Sequence, residues 1–355
     1  MVRLLRNMKI LQGVFLVLGL ILFVYIILSV GVEQILASIR LVGFGFFLII
    51  AVSAIRHLLR SIAWLHCIEE DHRQIRLWDL FNVRLAGDAV RLLSFAGPVL
   101  GETSKAVLIR KRLPMVHGLS SIIIENLTYT IGVIFVVISG LALFMANFST
   151  KSSVRWMGMI MSVSMLVVLI AGQYLISRRV LAFSKMAKWL ARRTDINWFR
   201  SQAESIEATE TRIHDFYKRR GKTFYIVLAL DLAANLVNIF EVYLILYFIG
   251  VNVTLMISYI IEVMMKVVNI LFFFVPGQIG VLEGGNAIVF KALGLAASAG
   301  VTLSLIEKIR TIFWGGYGLV IWSRAFQKRS GEKRDASRNA AVSVGDLTPK
   351  EVYND

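Results

Sequence analysis

Residues 84–105 read RLAGDAVRLLSFAGPVLGETSK, and residues 262–283 read EVMMKVVNILFFFVPGQIGVLE. Arg84, Asp88 and Arg91 stand 14, 10 and 7 positions before Pro98; Glu262, Lys266 and Asn269 stand at the same three distances before Pro276. An i, i+4, i+7 set marks one face of a helix. Each helix then meets Pro, which lacks a backbone donor, and Gly, which permits a turn. Both stretches lie within long apolar regions, about 79–112 and 254–295. A helix that stops inside a bilayer leaves backbone groups that lipid cannot satisfy, so such breaks occur inside protein or beside a watery cavity. The two stretches therefore predict re-entrant helical hairpins.

The surrounding sequence fits that setting. The chain has 355 residues, 57% hydrophobic and only 17% charged, too apolar for an ordinary soluble domain. Runs long enough to cross a bilayer recur at about 11–30, 42–64, 119–146, 154–176, 223–249 and 298–324, which predicts six full spans. The first could be a signal peptide, but it is about twenty residues long without an A-x-A site, so a retained span is expected.

The net charge of +16 is carried mainly by loops. Arg3, Arg6 and Lys9 precede the first span, residues 178–222 hold twelve Lys or Arg against five acids, and Arg324, Lys328 and Arg329 follow the last span. The segments Glu33–Arg40 and Asn147–Arg155 carry little charge. The positive-inside rule then puts both termini and residues 178–222 in the cytoplasm. The excess charge is topological, with attraction to anionic lipid, and argues against nucleic-acid binding.

Orientation makes the first hairpin enter and leave from the cytoplasmic side and the second from outside. The expected architecture is an all-α integral membrane protein with six spans and two re-entrant hairpins in an inverted repeat, the arrangement that forms substrate sites near the midplane. Repeat one covers about 10–147 and repeat two about 153–325. Together they make a polytopic domain over 1–325, with a basic cytoplasmic linker at 178–222 and a disordered tail at 326–355. Phe183, Met186, Trp189 and Leu190 predict an interfacial helix in the linker.

Ionisable residues inside spans are costly and usually face a cavity or a partner. The candidates are eight cations (Arg56, Arg60, Arg84, Arg91, Lys105, Lys266, Lys308, Arg310) and eight acids (Asp88, Glu102, Glu125, Asp231, Glu241, Glu262, Glu283, Glu307). The numbers balance, as expected of a path for a zwitterionic or phosphate headgroup. Several have plainer readings. Arg84 with Asp88, and Glu262 with Lys266, could be local i, i+4 ion pairs. Glu102 and Glu283 could cap the helix after each break. Arg56 and Arg60 could snorkel to the cytoplasmic surface. Asp231, Asn235, Asn238 and Glu241 could join helices by hydrogen bonds, and Gly315, Gly316 and Gly318 read as close helix packing.

The single cysteine, Cys67, and five scattered histidines leave no metal or disulfide pattern. No nucleophile with its base and no nucleotide loop is present, so no catalytic residue, enzyme activity or cofactor is expected.

Pro98-x-x-Gly101-Glu102-x-x-Lys105 and Pro276-Gly277-Gln278-Ile279-Gly280-Val281-x-Glu283-Gly284, with Gly294 and the Glu307–Arg310 region, resemble the flippase-like membrane domain of lysylphosphatidylglycerol synthases. The resemblance covers about residues 10–325 and implies movement of a phospholipid or polyprenyl-type lipid between leaflets of a prokaryotic cytoplasmic membrane. It departs at Glu125-Asn126-Leu127-Thr128-Tyr129, where the family often has Glu-Arg followed by Asp, and no soluble transferase domain is expected. Membrane lipids are the expected partners, with a lipid-modifying transferase and self-association left open. The other functional classes are a solute or ion transporter and a non-catalytic partner of a lipid-modifying or glycosyl transferase.

Overall fold

The structure, a computed structural model, describes residues 32–69, 75–93, 97–110, 112–148, 152–177, 197–271 and 281–345. They form eleven α-helices, with no strand among the described residues. In order these are α1 (Val32–Val42), α2 (Gly45–Cys67), α3 (Leu77–Leu92), α4 (Gly97–Ile109), α5 (Met115–Asn147), α6 (Ser152–Ser177), α7 (Asn197–Arg219), α8 (Gly221–Phe248), α9 (Leu255–Leu271), α10 (Val281–Ala292) and α11 (Ala297–Gly345).

Three of these, α2, α5 and α8, are long and apolar enough to cross a membrane. They coincide with the spans expected at 42–64, 119–146 and 223–249. The expected spans at 154–176 and 298–324 fall on α6 and α11, while that at 11–30 lies outside the described residues. The amphipathicity is inside out. On α2 the stripe Ser53, Arg56, His57 and Arg60 turns inward, whereas Phe47 and Ile55 are exposed. On α8 Asp231, Asn235, Asn238 and Glu241 are buried, and Leu236, Phe240 and Tyr247 are exposed. Polar side chains facing inward and apolar ones outward suit a lipid solvent.

The first broken segment folds as two helices, α3 and α4, packed side by side. Their approach depends on Gly87 and Gly101: a Cβ on Gly101 would lie 2.9 Å from the Gly87 carbonyl oxygen. Pro98 stands in the first turn of α4, where its missing N–H removes no helical bond. The second broken segment likewise gives packed helices, α9 and α10, but the motif that joins them, including Pro276 and Gly280, lies outside the described residues.

Across the molecule, α2 lies along α8, α3 packs against α11, and α9 packs against α5. Gly318 makes the α3–α11 contact possible, since a Cβ there would come within 2.2 Å of the Leu85 carbonyl oxygen. This fits the packing role read for the Gly315–Gly318 cluster.

Two apolar clusters close the ends of the bundle. One joins Trp64, Cys67, Ile109, Leu113, Phe216 and Val227. The other joins Ile49, Val242, Ile245, Phe290, Leu303 and Ile306.

Three features differ from the simple reading of the sequence. Residues read as a short loop after the first span form α1, which stops at Gly43 because that residue adopts φ +57°, a conformation that glycine reaches without strain. The linker contains α7, which docks by Ile213, Phe216 and Tyr217 on the cluster around Trp64; Phe183 to Leu190 lie outside the described residues. Finally, α11 continues to Gly345, into the stretch expected as a tail.

Candidate functional site

Arg56 is at the centre of α2, eleven residues from both Gly45 and Cys67. A helix of that length, 23 residues, spans roughly 35 Å, so Arg56 lies midway along a helix long enough to cross a bilayer core. Around it opens a cavity of about 280 Å³. It lies between the two apolar clusters, because on α2 Ile49 belongs to one and Trp64 to the other. Six helices line it: α2 (Arg56, His57, Arg60), α3 (Leu85, Asp88, Arg91), α5 (Tyr129), α8 (Asn235, Asn238), α9 (Lys266) and α11 (Arg310, Trp314).

The lining is not balanced. Five cations face the cavity against one acid, Asp88. The carboxylates that neutralise them stand behind. Glu125, only 2% exposed, accepts from Arg60 Nε at 3.1 Å and Nη2 at 2.8 Å, and from Arg84 Nη2 at 2.8 Å. Arg84 also donates to the Arg60 carbonyl at 2.9 Å, and the Arg60 guanidinium lies 3.7 Å from the centre of the Tyr129 ring. Glu262 accepts from Lys266 at 2.6 Å and from Asn238 Nδ2 at 2.5 Å. Glu241 accepts from Arg310.

Asn238 Oδ1 accepts in turn from Arg56 Nη1 at 2.8 Å, so a chain of polar contacts runs from α2 through α8 to α9. Asp88 is 3.3 Å from Lys105, whose ammonium also donates to Glu102 at 3.1 Å, tying α3 to α4. Trp314 packs against His57 in a tilted arrangement, ring centres 5.3 Å apart, and donates to Ser53 Oγ at 2.7 Å.

Of the predicted site residues, Asp88, Arg91, Lys266 and Arg310 line the cavity. Arg84, Glu102, Lys105, Glu125 and Glu262 form its supporting shell. Asp231 is fully buried, and neither carboxylate oxygen has a hydrogen-bond partner among the described residues. Gly101 serves the α3–α4 contact. Glu283, in the first turn of α10, pairs with Lys308 of α11, away from the cavity lining. Asn269 donates to Met265 O at 2.9 Å within its own helix, and Glu307 is likewise absent from the lining.

The local pair Glu262–Lys266 forms as read, but Arg84 bonds Glu125 on α5 and leaves Asp88 to Lys105. Glu102 lies inside α4 and bonds Lys105. Arg56 and Arg60 do not snorkel; both face the cavity. Arg56 and Arg60 are among the intramembrane cations read from the sequence, and Asn235 and Asn238 belong to its polar stripe; His57, Tyr129 and Trp314 join them in the lining without having been singled out. The stripe Ser53, Arg56, His57, Arg60 was the available signal.

Residues 10–316 match the sequence family described as Lysylphosphatidylglycerol synthase TM region. No curated protein and no solved structure matches the chain.

Proposed function

The chain belongs to the family of the lysylphosphatidylglycerol synthase TM region, and from that premise we propose that it moves a lipid between the leaflets of the cytoplasmic membrane. The observation that carries this reading is the cavity itself: it lies midway along a membrane-crossing helix and takes its walls from both halves of the chain. A buried polar chamber there offers a headgroup a polar path across the hydrocarbon, while the acyl chains stay in lipid. Its volume is near the lower end of the range of small-ligand pockets, room for a headgroup but not for lipid tails.

The packing supports an inverted repeat with two re-entrant hairpins within the expected six spans, and the basic linker and ends support cytoplasmic termini. Counterpart helices α2 and α8 lie together, and the first helix of each hairpin packs on the last helix of the opposite half, α3 on α11 and α9 on α5. In such an arrangement, rocking of one half against the other opens the same chamber to alternate sides. Polar contacts that cross the halves, such as Arg56–Asn238 and Trp314–Ser53, are the ones that must exchange.

Flipping of fluorescent phospholipids in proteoliposomes tests this function, with wild type compared with Asp88→Asn and Lys266→Gln. We expect accelerated exchange in wild type and slower exchange in both variants. Exchange no faster than in protein-free vesicles, for every lipid tried, would sink the reading.

A further inference from the structure

The orientation of charge in the cavity specifies more than a polar path. Three ion pairs border it, Arg60–Glu125, Lys266–Glu262 and Arg310–Glu241. In each the cation belongs to the lining and the acid does not. The three acids are at most 5% exposed, sealed between helices. A ligand in the cavity therefore meets the positive end of three dipoles.

Two further arginines have no carboxylate of their own. Arg56 bonds the neutral Asn238 through Nη1, and its buried Nε has no partner among the described residues. Arg91 lines the cavity and makes no ion pair among the described residues. The one lining acid, Asp88, is already engaged by Lys105. An unpaired guanidinium midway along a membrane-crossing helix, as at Arg56, is costly unless a counter-charge arrives, and Arg91 adds a second cation without an ion pair beside it among the described residues. A phosphate supplies one, and the planar guanidinium fork matches its oxygens.

We propose that the cavity binds the phosphate of an anionic lipid headgroup through Arg56 and Arg91 and discriminates against cationic headgroups, an assignment that rests on the lipid-translocation reading above. The balanced count of charges along the chain does not reveal this selectivity; it arises from which end of each pair faces inward.

Isothermal titration of the purified protein in detergent tests the assignment with three probes: dihexanoyl phosphatidic acid, a trimethylammonium lipid of the same chain length, and inorganic phosphate. The phosphatidic acid is expected to bind and the cationic lipid not to. Arg91→Gln, at an exposed side chain that leaves the fold intact, and Arg56→Gln are each expected to weaken binding about tenfold or more, as loss of a charge-assisted contact implies. Arg56→Lys, which keeps the charge but not the fork, should recover part of the loss. Equal binding of the cationic lipid, or unchanged affinity in both glutamine variants, overturns the proposal. Inorganic phosphate binding as tightly as the lipid, with the same loss in the variants, overturns the lipid as its source and makes the ligand a free anion. Selective lipid binding without flipping in proteoliposomes upholds the ligand class and removes the translocation reading.

Discussion

Replacing Glu125 by Gln should be among the most damaging conservative changes in this protein. Glu125 is 2% exposed and answers two guanidinium groups, Arg60 and Arg84, each at 2.8 Å. Glutamine keeps the size and one acceptor but removes the charge, leaving two buried arginines to face one another. Breaking a buried ion pair by removing one partner costs about 3–5 kcal/mol, because the charge left behind is uncompensated. Each kcal/mol shifts the midpoint of a domain somewhat smaller than this one by roughly 2–4 °C. The apparent melting temperature in detergent should therefore fall by roughly 10 °C. Arg84→Gln should cost less, since Glu125 keeps Arg60. Differential scanning fluorimetry of wild type and the two variants at one scan rate provides the measurement, the fixed rate being needed because such unfolding is commonly irreversible. A Glu125→Gln protein melting within about 2 °C of wild type, or more stable than Arg84→Gln, would refute the triad as the support of the cavity wall.

Two glycines that look alike in the sequence should respond oppositely. Gly318→Ala would place a Cβ within 2.2 Å of the Leu85 carbonyl and force α11 off α3, whereas Gly284→Ala meets nothing within 4 Å. The first should lower the melting temperature, at a cost of about 1–3 kcal/mol; the second should be neutral or slightly stabilising, by up to about 1 kcal/mol. At the end of the bundle closed by Trp64 and Phe216, Glu69 accepts from Arg212 at 2.5 Å and lies 3.1 Å from His117, clasping α7 to the end of α2 and the start of α5. Partial burial raises the Glu69 pKa, but the hydrogen bond and charge of Arg212, with His117 and Arg220 behind, outweigh it and hold the carboxyl below its ordinary value. A carboxylate with a lowered folded pKa stabilises the fold above its unfolded pKa and loses that contribution as pH falls through the folded value. The gap in melting temperature between wild type and Glu69→Gln should thus be steady above about pH 6 and close on acidification below about pH 4. A gap that widens in acid would contradict the clasp.

Much of the membrane scaffold was legible because its signals are local. The apolar runs behind α2, α5 and α8 exceed what a soluble helix needs, and Pro98 with Gly97 and Gly101 announces the turn between α3 and α4. What was not legible depends on partners distant in sequence. Arg84 has Asp88 one turn away, yet it bonds Glu125, because α5 brings that carboxylate into a buried position while Lys105 occupies Asp88. Arg56 and Arg60 could have reached the cytoplasmic surface on length alone. Only the packing of α8 and α5, which brings Asn238 and Glu125 to them, turns them inward. Counting charges along the chain likewise could not tell which end of each pair faces the cavity, and that orientation is the basis of the proposed selectivity.

The proposed passage of lipid through the cavity is tested most directly by obstructing the cavity during a flipping assay. Thr311 lines it beside Trp314, and Cys67 is a buried free cysteine, so Thr311→Cys in a Cys67→Ala background offers a single accessible thiol in the chamber. Lipid flipping is measured in proteoliposomes before and after labelling with a bulky methanethiosulfonate, and again after reduction. The account predicts flipping that stops on labelling and returns when the label is removed; flipping that continues unchanged at full labelling would mean that lipid does not travel through this cavity.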